Sequence, residues 1–512
     1  MAGHSKRFQN EGYKGCKALL PIGTGLVIDQ VVKMFDPRDH FHFVINENQI
    51  LENPEIINIL RNLANEVSIT IIPPHDYGPA YSALQASKVK EHEPIIISYC
   101  DFTVCWNYKS FLASVEQADA GVPSFRGFHP ASLGETLFAY MRIEGHRMLE
   151  LREKESFTAN RIEEPASTGI YYFSSFKLYR YYAKLLLENH DYSKREAYVS
   201  LLLNLMAKDG REVVVSNVEK FICFGTPSDY RQYLFWENYF KNAQEKQHTH
   251  KISNNQSNLI PMAGVGSRFR NFGYRVAKPL IPVSGMPMVI RAASSLPAAN
   301  KWIFIARTED VKKHPVELTI KRRYPDAIIL SINESTTGQA ATCLHAEDLL
   351  NSESALLIAS CDYEHFYDDV KLQRLINDDS IDGIIWTYRM DMSMAHNPNA
   401  FAYCVTENDD ITVIQVVEKQ TISNRPSKDP LVVGTFWFRK SSDFTAGART
   451  MIDNGIMIKG EHYVGTSINQ LINDGKRFVI FDVDQWISFG DPHELKTLEY
   501  WEEYFCESEN LK

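Results

Sequence analysis

The run Met262-Ala263-Gly264-Val265-Gly266-Ser267-Arg268-Phe269 follows the short apolar stretch Asn258 to Pro261 without a break. Two glycines let backbone NH groups close around an anion, and Arg268 sets a cation beside them. Ten residues on, Lys278 in AKPLIPVSGMPM can reach the same anion. This spacing serves a polyphosphate. A glycine pair alone also makes a tight strand-to-helix turn, so the pattern takes its meaning from Arg268, Lys278 and the Pro-Val-x-Gly-x-Pro-Met that follows.

The elements that must position these residues occur twice. MAGHSKRFQNEGYKGCKALLPI, from Met1, lies over MAGVGSRFRNFGYRVAKPLIPV, from Met262, a shift of 262 − 1 = 261. The same shift carries Asp101 in IIISYCDF onto Asp362 in LLIASCDY. Further on the shift is 418 − 153 = 265, matching Glu153-Lys154 with Glu418-Lys419, Gly169 with Gly434, Glu196 with Glu461, Gly225 with Gly490 and Trp236 with Trp501. The chain is a duplication. Residues 1–242 form the first copy and 258–512 the second; residues 243–257, rich in amides and charges, read as a linker.

In each copy short apolar runs alternate with longer amphipathic segments: HFVIN, VSITII and PIIISYCD in the first, NLIPMAG, KWIFIA, AIILSIN and ALLIASCD in the second. Continuous β-branched runs indicate strands covered on both faces, hence a mainly parallel sheet between helices. Ligands of such doubly wound α/β domains sit beyond the C-terminal ends of the strands. Asp362, ending the strand ALLIASCD, is a hard oxygen donor at that edge, where a divalent ion can bridge phosphates.

The bulk composition agrees. A chain of 512 residues exceeds a single core, which stops growing at roughly 250 to 300 residues. With 44% hydrophobic and 23% charged residues it reads as globular. No apolar stretch nears the roughly 18 residues of a membrane span, and the polar start MAGHSKRFQNEGYKG has no signal-peptide core. The expectation is a cytoplasmic protein with no membrane partner. The 8 cysteines show no zinc spacing, and a net charge of −10 argues against nucleic acid. A homo-oligomer stays open.

MAGxGSRF followed by KPLIPVxGxPM resembles the sugar-1-phosphate nucleotidyltransferase (nucleotide-sugar pyrophosphorylase) family, which includes relatives that use phosphocholine or other phosphorylated polar compounds with CTP. The likeness runs over nearly the whole of each copy. It implies two tandem Rossmann-like (GT-A-like) α/β domains, and a Mg²⁺-dependent reaction of an NTP with a phosphorylated small-molecule acceptor that releases pyrophosphate. By the same resemblance Met262, Ala263, Gly264, Gly266, Ser267, Gly338 and Gln339 bind the nucleotide, and Arg268, Lys278 and Lys419 are catalytic. Asp362 holds the metal, and Glu418, Gly434 and Thr435 meet the acceptor. The matching set in the first copy is Gly3, Arg7, Lys17, Gly78, Asp101, Glu153, Lys154 and Gly169. Segments such as Ser98-Tyr99-Cys100-Asp101-Phe102 and Gly169-Ile170-Tyr171-Tyr172-Phe173 look like those of bacterial surface-polysaccharide pathways, which suggests precursor synthesis.

Several positions depart from the family pattern. Where Trp-x-Asp-x-Gly-Thr-Pro is usual, the chain has Ser488 in the second copy and Cys223 in the first, so a second metal ligand must come from elsewhere. Asp482 and Asp484, just upstream, read as solvent-facing strand residues. Phe401-Ala402-Tyr403-Cys404 replaces Tyr-Gly-Val-Val at the sugar site, which puts an ordinary hexose phosphate in doubt. Met286 stands where a basic residue is usual, at a peripheral position. In the first copy Ser5 replaces the second glycine, and Met1 falls inside what should be the end of the first strand, which is missing unless the true start lies upstream, so that copy reads as partly degenerate. Two rival readings are a GT-A-type glycosyltransferase, for which Asp362-Tyr363-Glu364 is a loose metal motif, and a non-catalytic nucleotide- or metabolite-binding protein.

Overall fold

Leu259 and Ile260 are both fully buried, yet they belong to different layers. Ile260 packs with Phe304, Ala306, Leu357 and Ala359, and Leu259 packs with Ile303, Ile305, Leu356 and Ile358. Successive strand residues face opposite sides of a sheet, so this sheet is covered on both faces. Continuous apolar runs follow from that burial. In the computed structural model, which describes residues 1–133, 138–191, 196–245, 253–391 and 397–510, two units emerge. They are Met1–Asn238 and Tyr239–Lys512, called domains 1 and 2 below.

The domain 2 sheet runs in the order Ile328–Ile332, Ala299–Arg307, Ser253–Pro261, Ala355–Ala359, Leu431–Phe438, Gly383–Tyr388 and Phe478–Asp482, with Ala402–Thr406 and Val413–Glu418 beside Leu431–Phe438. Parallel pairings join the first four strands, and Gly383–Tyr388 with Phe478–Asp482; Leu431–Phe438 is antiparallel to its neighbours. The parallel part carries the glycine loop and Asp362 at its C-terminal edge, as expected of an α/β domain. The antiparallel part holds the hairpin that ends in Glu418. Helices Met288–Ser294 and Val316–Arg323 supply buried side chains to one layer, and Ser441–Asp453 and Val464–Asn473 to the other.

The strand at the head of domain 2 begins at Ser253, inside the segment that reads as a linker from its composition. Gln256 and Asn258 are buried polar residues of this strand, and their side chains are paired. Gln256 Nε2 donates to Asn258 Oδ1 at 2.8 Å, Asn258 Nδ2 to Pro297 O at 2.8 Å, and Trp437 Nε1 to Gln256 Oε1 at 3.2 Å. Buried amides paired in this way escape the desolvation penalty that otherwise keeps them at the surface.

Domain 1 repeats this plan around an interruption. Ile95–Ser98 lies at one edge of a seven-stranded sheet, while His40–Asn46 and Glu66–Ile72 pair in parallel only with each other. In domain 2 the counterparts of those strands are bridged by Ser253–Pro261. Correspondingly, Ile95, Ile96 and Ile97 are half-buried where Leu356, Leu357 and Ile358 are fully buried. A cavity of about 920 Å³ opens beside them.

Candidate active site

The glycine loop of domain 2 is anchored where Met262 N donates to Ile305 O at 2.8 Å. The Met262 side chain is buried, so its share in the site is backbone, whereas Gly264, Ser267 and Arg268 are exposed and Ala263 is half-buried. Gly266 turns the chain with φ 66° and ψ 34°, and the short helix Ser267–Asn271 follows. A Cβ on Gly266 would stand 3.1 Å from Lys278 Cβ, which puts the lysine directly against the loop. Lys278 Nζ donates to Asp362 Oδ2 at 2.5 Å. Burial works against the ammonium, but the charge of Asp362, the neighbouring Cys361 and the hydrogen bond to Asp362 together outweigh it, and the lysine pKa is raised. Arg268 reaches Asp491 at 3.3 Å, and its side chain is 74% exposed.

Asp362 is bordered by residues that the family pattern does not point to. Glu494, in the first turn of the helix Pro492–Asn510, accepts from Ser488 Oγ at 2.5 Å and from Asp491 N at 3.1 Å. Burial raises its pKa, against the Ser488 hydrogen bond, and the charges of Asp491 and Asp362 raise it further. A carboxylate thus stands beside the serine that replaces the usual aspartate. In domain 1 Asp229 does the same, accepting from Thr226 Oγ1 at 2.6 Å and Cys223 Sγ at 3.5 Å. The signal was available in the repeat, because 494 − 229 = 265 is the shift of the second half.

Glu364 is tied elsewhere. It accepts from Arg291 Nε at 3.1 Å and from Tyr239 Oη at 2.8 Å, so it does not act with Asp362 as a DxD-type metal pair. Asp482 is likewise engaged, by Thr387 and Arg389.

Gly338, with φ 133°, packs on the backbone of His462, where a Cβ would lie 2.5 Å from both N and O. Ala340 N donates to His462 O at 3.0 Å, which fixes the approach and places half-buried Gln339 at the start of its helix. Glu418 ends a strand, and Lys419 continues it in left-handed backbone, φ 57°. Lys419 Nζ donates to Ala400 O at 2.5 Å and lies 5.4 Å from the centre of the Tyr463 ring. Burial pushes the Glu418 carboxyl up to about 7, against the pull of Lys419. Gly434, φ 75°, lies against Tyr363 and Ser360. Thr435 departs from its expected acceptor-binding role: strand alternation turns its side chain into the core, where Oγ1 lies 3.3 Å from His365 Nε2 and the residue is fully buried.

The eight residues expected in the first copy also come together. Gly3, Arg7, Lys17, Gly78, Asp101, Glu153, Lys154 and Gly169 all line the 920 Å³ cavity of domain 1. Lys17 Nζ donates to Asp101 Oδ2 at 2.5 Å.

Among solved structures, a nucleoside-diphosphate-sugar pyrophosphorylase from Vibrio cholerae RC9 is 21% identical, covering 47% of this chain and 98% of its own, with TM-score 0.39. The inositol-1-phosphate CTP transferase from T. maritima is 10% identical, with 49% and 98% covered and TM-score 0.38. A UDP-glucose pyrophosphorylase complexed with UDP-glucose is 14% identical, with 49% and 99% covered and TM-score 0.38. No curated protein matches the chain. No described helix is long and apolar enough to cross a membrane. Residues 257–501 match the sequence model of the nucleotidyl transferase family, which makes domain 2 a nucleotidyltransferase domain.

Proposed function

We propose that domain 2 transfers the nucleotidyl group of an NTP to a phosphorylated acceptor, a sugar-1-phosphate or similar compound, for bacterial surface-polysaccharide precursors. The reaction is one in-line displacement. An oxygen of the acceptor phosphate forms the bond to the α-phosphorus, the bond from that phosphorus to the bridging oxygen breaks, and pyrophosphate leaves with the electron pair. Such chemistry needs positioning and charge neutralisation more than acid–base groups.

The observation that carries this reading is the contact of Lys278 with Asp362 directly beside the Gly266 turn, which gathers loop, cation and carboxylate at one strand edge. Gly264, Gly266 and Ser267 cradle the triphosphate, and Arg268 and Lys278 neutralise it. Gly338 and Gln339 approach the base and ribose. Lys419 orients the attacking phosphate, and Glu418 and Gly434 border the rest of the acceptor.

Mg²⁺ fits Asp362. The ion takes one or two carboxylates and completes its shell with phosphate oxygens and water. The carboxylate has room because Gly490 carries no Cβ, which would lie 2.5 Å from Asp362 Oδ2. When bound, Mg²⁺ supplies positive charge to the phosphate oxygens. Replacing Asp362 by Asn in the full chain tests the assignment: at least one nucleotide conjugate formed by the wild type should disappear at every Mg²⁺ concentration. Unchanged products and turnover would refute it.

A further inference from the structure

Domain 1 departs from the glycine pattern at Ser5, and its backbone ignores the departure. Ser5 takes φ 52° and ψ 27°, where Gly266 takes φ 66° and ψ 34°. Left-handed backbone is uncommon for a residue with a Cβ, so the surroundings must impose it. Lys17 N donates to Ser5 Oγ at 3.2 Å. Two buried amides then grip the loop's carbonyls: Asn46 Nδ2 donates to Ala2 O at 2.8 Å, and Gln49 Nε2 to Met1 O at 2.8 Å. Domain 2 has Arg307 and Asp310 at those positions.

The remaining parts match pairwise. The Lys17–Asp101 contact of 2.5 Å repeats Lys278–Asp362 at 2.5 Å. Lys154 is left-handed at φ 58°, as Lys419 is at 57°, and each ammonium lies over a tyrosine, Tyr198 at 5.0 Å and Tyr463 at 5.4 Å. Strained conformations persist where a site over-determines them. A domain kept only for packing would have no use for two.

We infer that domain 1 is a second nucleotidyl-transfer site whose acceptor differs from that of domain 2, an inference that rests on the reading of domain 2 given above. The difference lies at Ser200, whose Oγ donates to Glu153 Oε2 at 2.5 Å. Gly465 stands in its place in domain 2, where a Cβ would lie 2.6 Å from Glu418 Oε1. Glu153 therefore has a hydroxyl donor built in, whereas Glu418 must take one from its acceptor. Domain 1 suits a phosphate monoester presenting fewer hydroxyls at that point than the acceptor of domain 2. The displacement is the same: acceptor oxygen to α-phosphorus, pyrophosphate leaving.

The test counts nucleotide sites per 512-residue chain by calorimetry with Mg²⁺ and ATP, CTP, GTP and UTP in turn. Summed over the four probes, the wild type should show two sites, with Lys278→Ala removing one and Lys17→Ala the other. If Lys17→Ala does not fold, Arg7→Ala, at an exposed position, gives the same reading, with affinity at the domain 1 site falling roughly tenfold or more for a lost charged contact. Full wild-type binding in Lys17→Ala and Arg7→Ala overturns the inference and leaves domain 2 untouched. Full binding in Lys278→Ala instead tells against the reading of domain 2. In the Lys278→Ala chain, pyrophosphate release should persist with a subset of phosphate monoesters, and Ser200→Gly should move that subset toward acceptors richer in hydroxyls; an unchanged acceptor range in Ser200→Gly would overturn the specificity part.

Discussion

A Cβ at residue 490 would stand 2.5 Å from Asp362 Oδ2, so Gly490 sets the position of the carboxylate at the centre of the domain 2 site. Gly490→Ala is expected to displace Asp362 without touching any substrate group. An error of about 1 Å in a positioned group costs on the order of 100-fold in rate, and a loss of that size in kcat is expected here. The check is kcat and Mg²⁺ dependence measured together: a lower kcat with weaker Mg²⁺ dependence is the expected pair, and wild-type values for both would show that the close approach has no consequence.

Lys419 joins a left-handed backbone to an ammonium, and the two can be separated. Lys419→Gly removes the side chain and suits φ 57°, whereas Lys419→Ala removes the side chain and keeps the strain, of order 1–3 kcal/mol. Both variants should raise the acceptor KM far more than the NTP KM, and the alanine variant should melt at the lower temperature. Equal increases in both Michaelis constants would mean that the lysine does not serve the acceptor phosphate.

Glu418 should place an inflection near pH 7 in the acceptor's kcat/KM, because burial lifts its carboxyl to about 7. Above that pH the carboxylate accepts hydroxyl groups, so kcat/KM should rise through the inflection, and Glu418→Gln should flatten it. The stability effect has the opposite sign. The folded state binds this proton more tightly than the unfolded chain, so stability is present at low pH and is lost as pH rises through about 7. A pH profile of Glu418→Gln identical to wild type would reject the assignment.

Ser5 tests how firmly domain 1 holds its loop. A β-branched side chain fits left-handed backbone worst, so Ser5→Val should lower stability by about 1–3 kcal/mol, with loss of the hydroxyl that Lys17 N donates to. Ser5→Gly should fold with the same loop. Thermal unfolding of the two variants checks the difference, and equal melting temperatures would show that the turn is not imposed.

The repeat made the matching Lys–Asp pairs of the two candidate clusters legible, since Lys278–Asp362 and Lys17–Asp101 lie at one shift along the chain and at one distance in space. Three features stayed hidden for physical reasons. The strand from Ser253 hides behind polar residues whose side chains satisfy one another only once folded. Thr435 lies one residue from a site glycine, and strand alternation sends it the other way. Glu494 sits on a helix six residues past Ser488 (494 − 488 = 6), so a motif confined to the strand and turn does not include it.

The proposed function is tested most directly by the products of the 512-residue chain incubated with Mg²⁺, each NTP and a panel of phosphate monoesters, with pyrophosphate quantified and products identified by mass. It expects one pyrophosphate for each nucleotide conjugate formed, with the acceptor's phosphate retained in the conjugate. Release of a nucleoside diphosphate from a nucleotide sugar, or no conjugate with any NTP and acceptor, would contradict it.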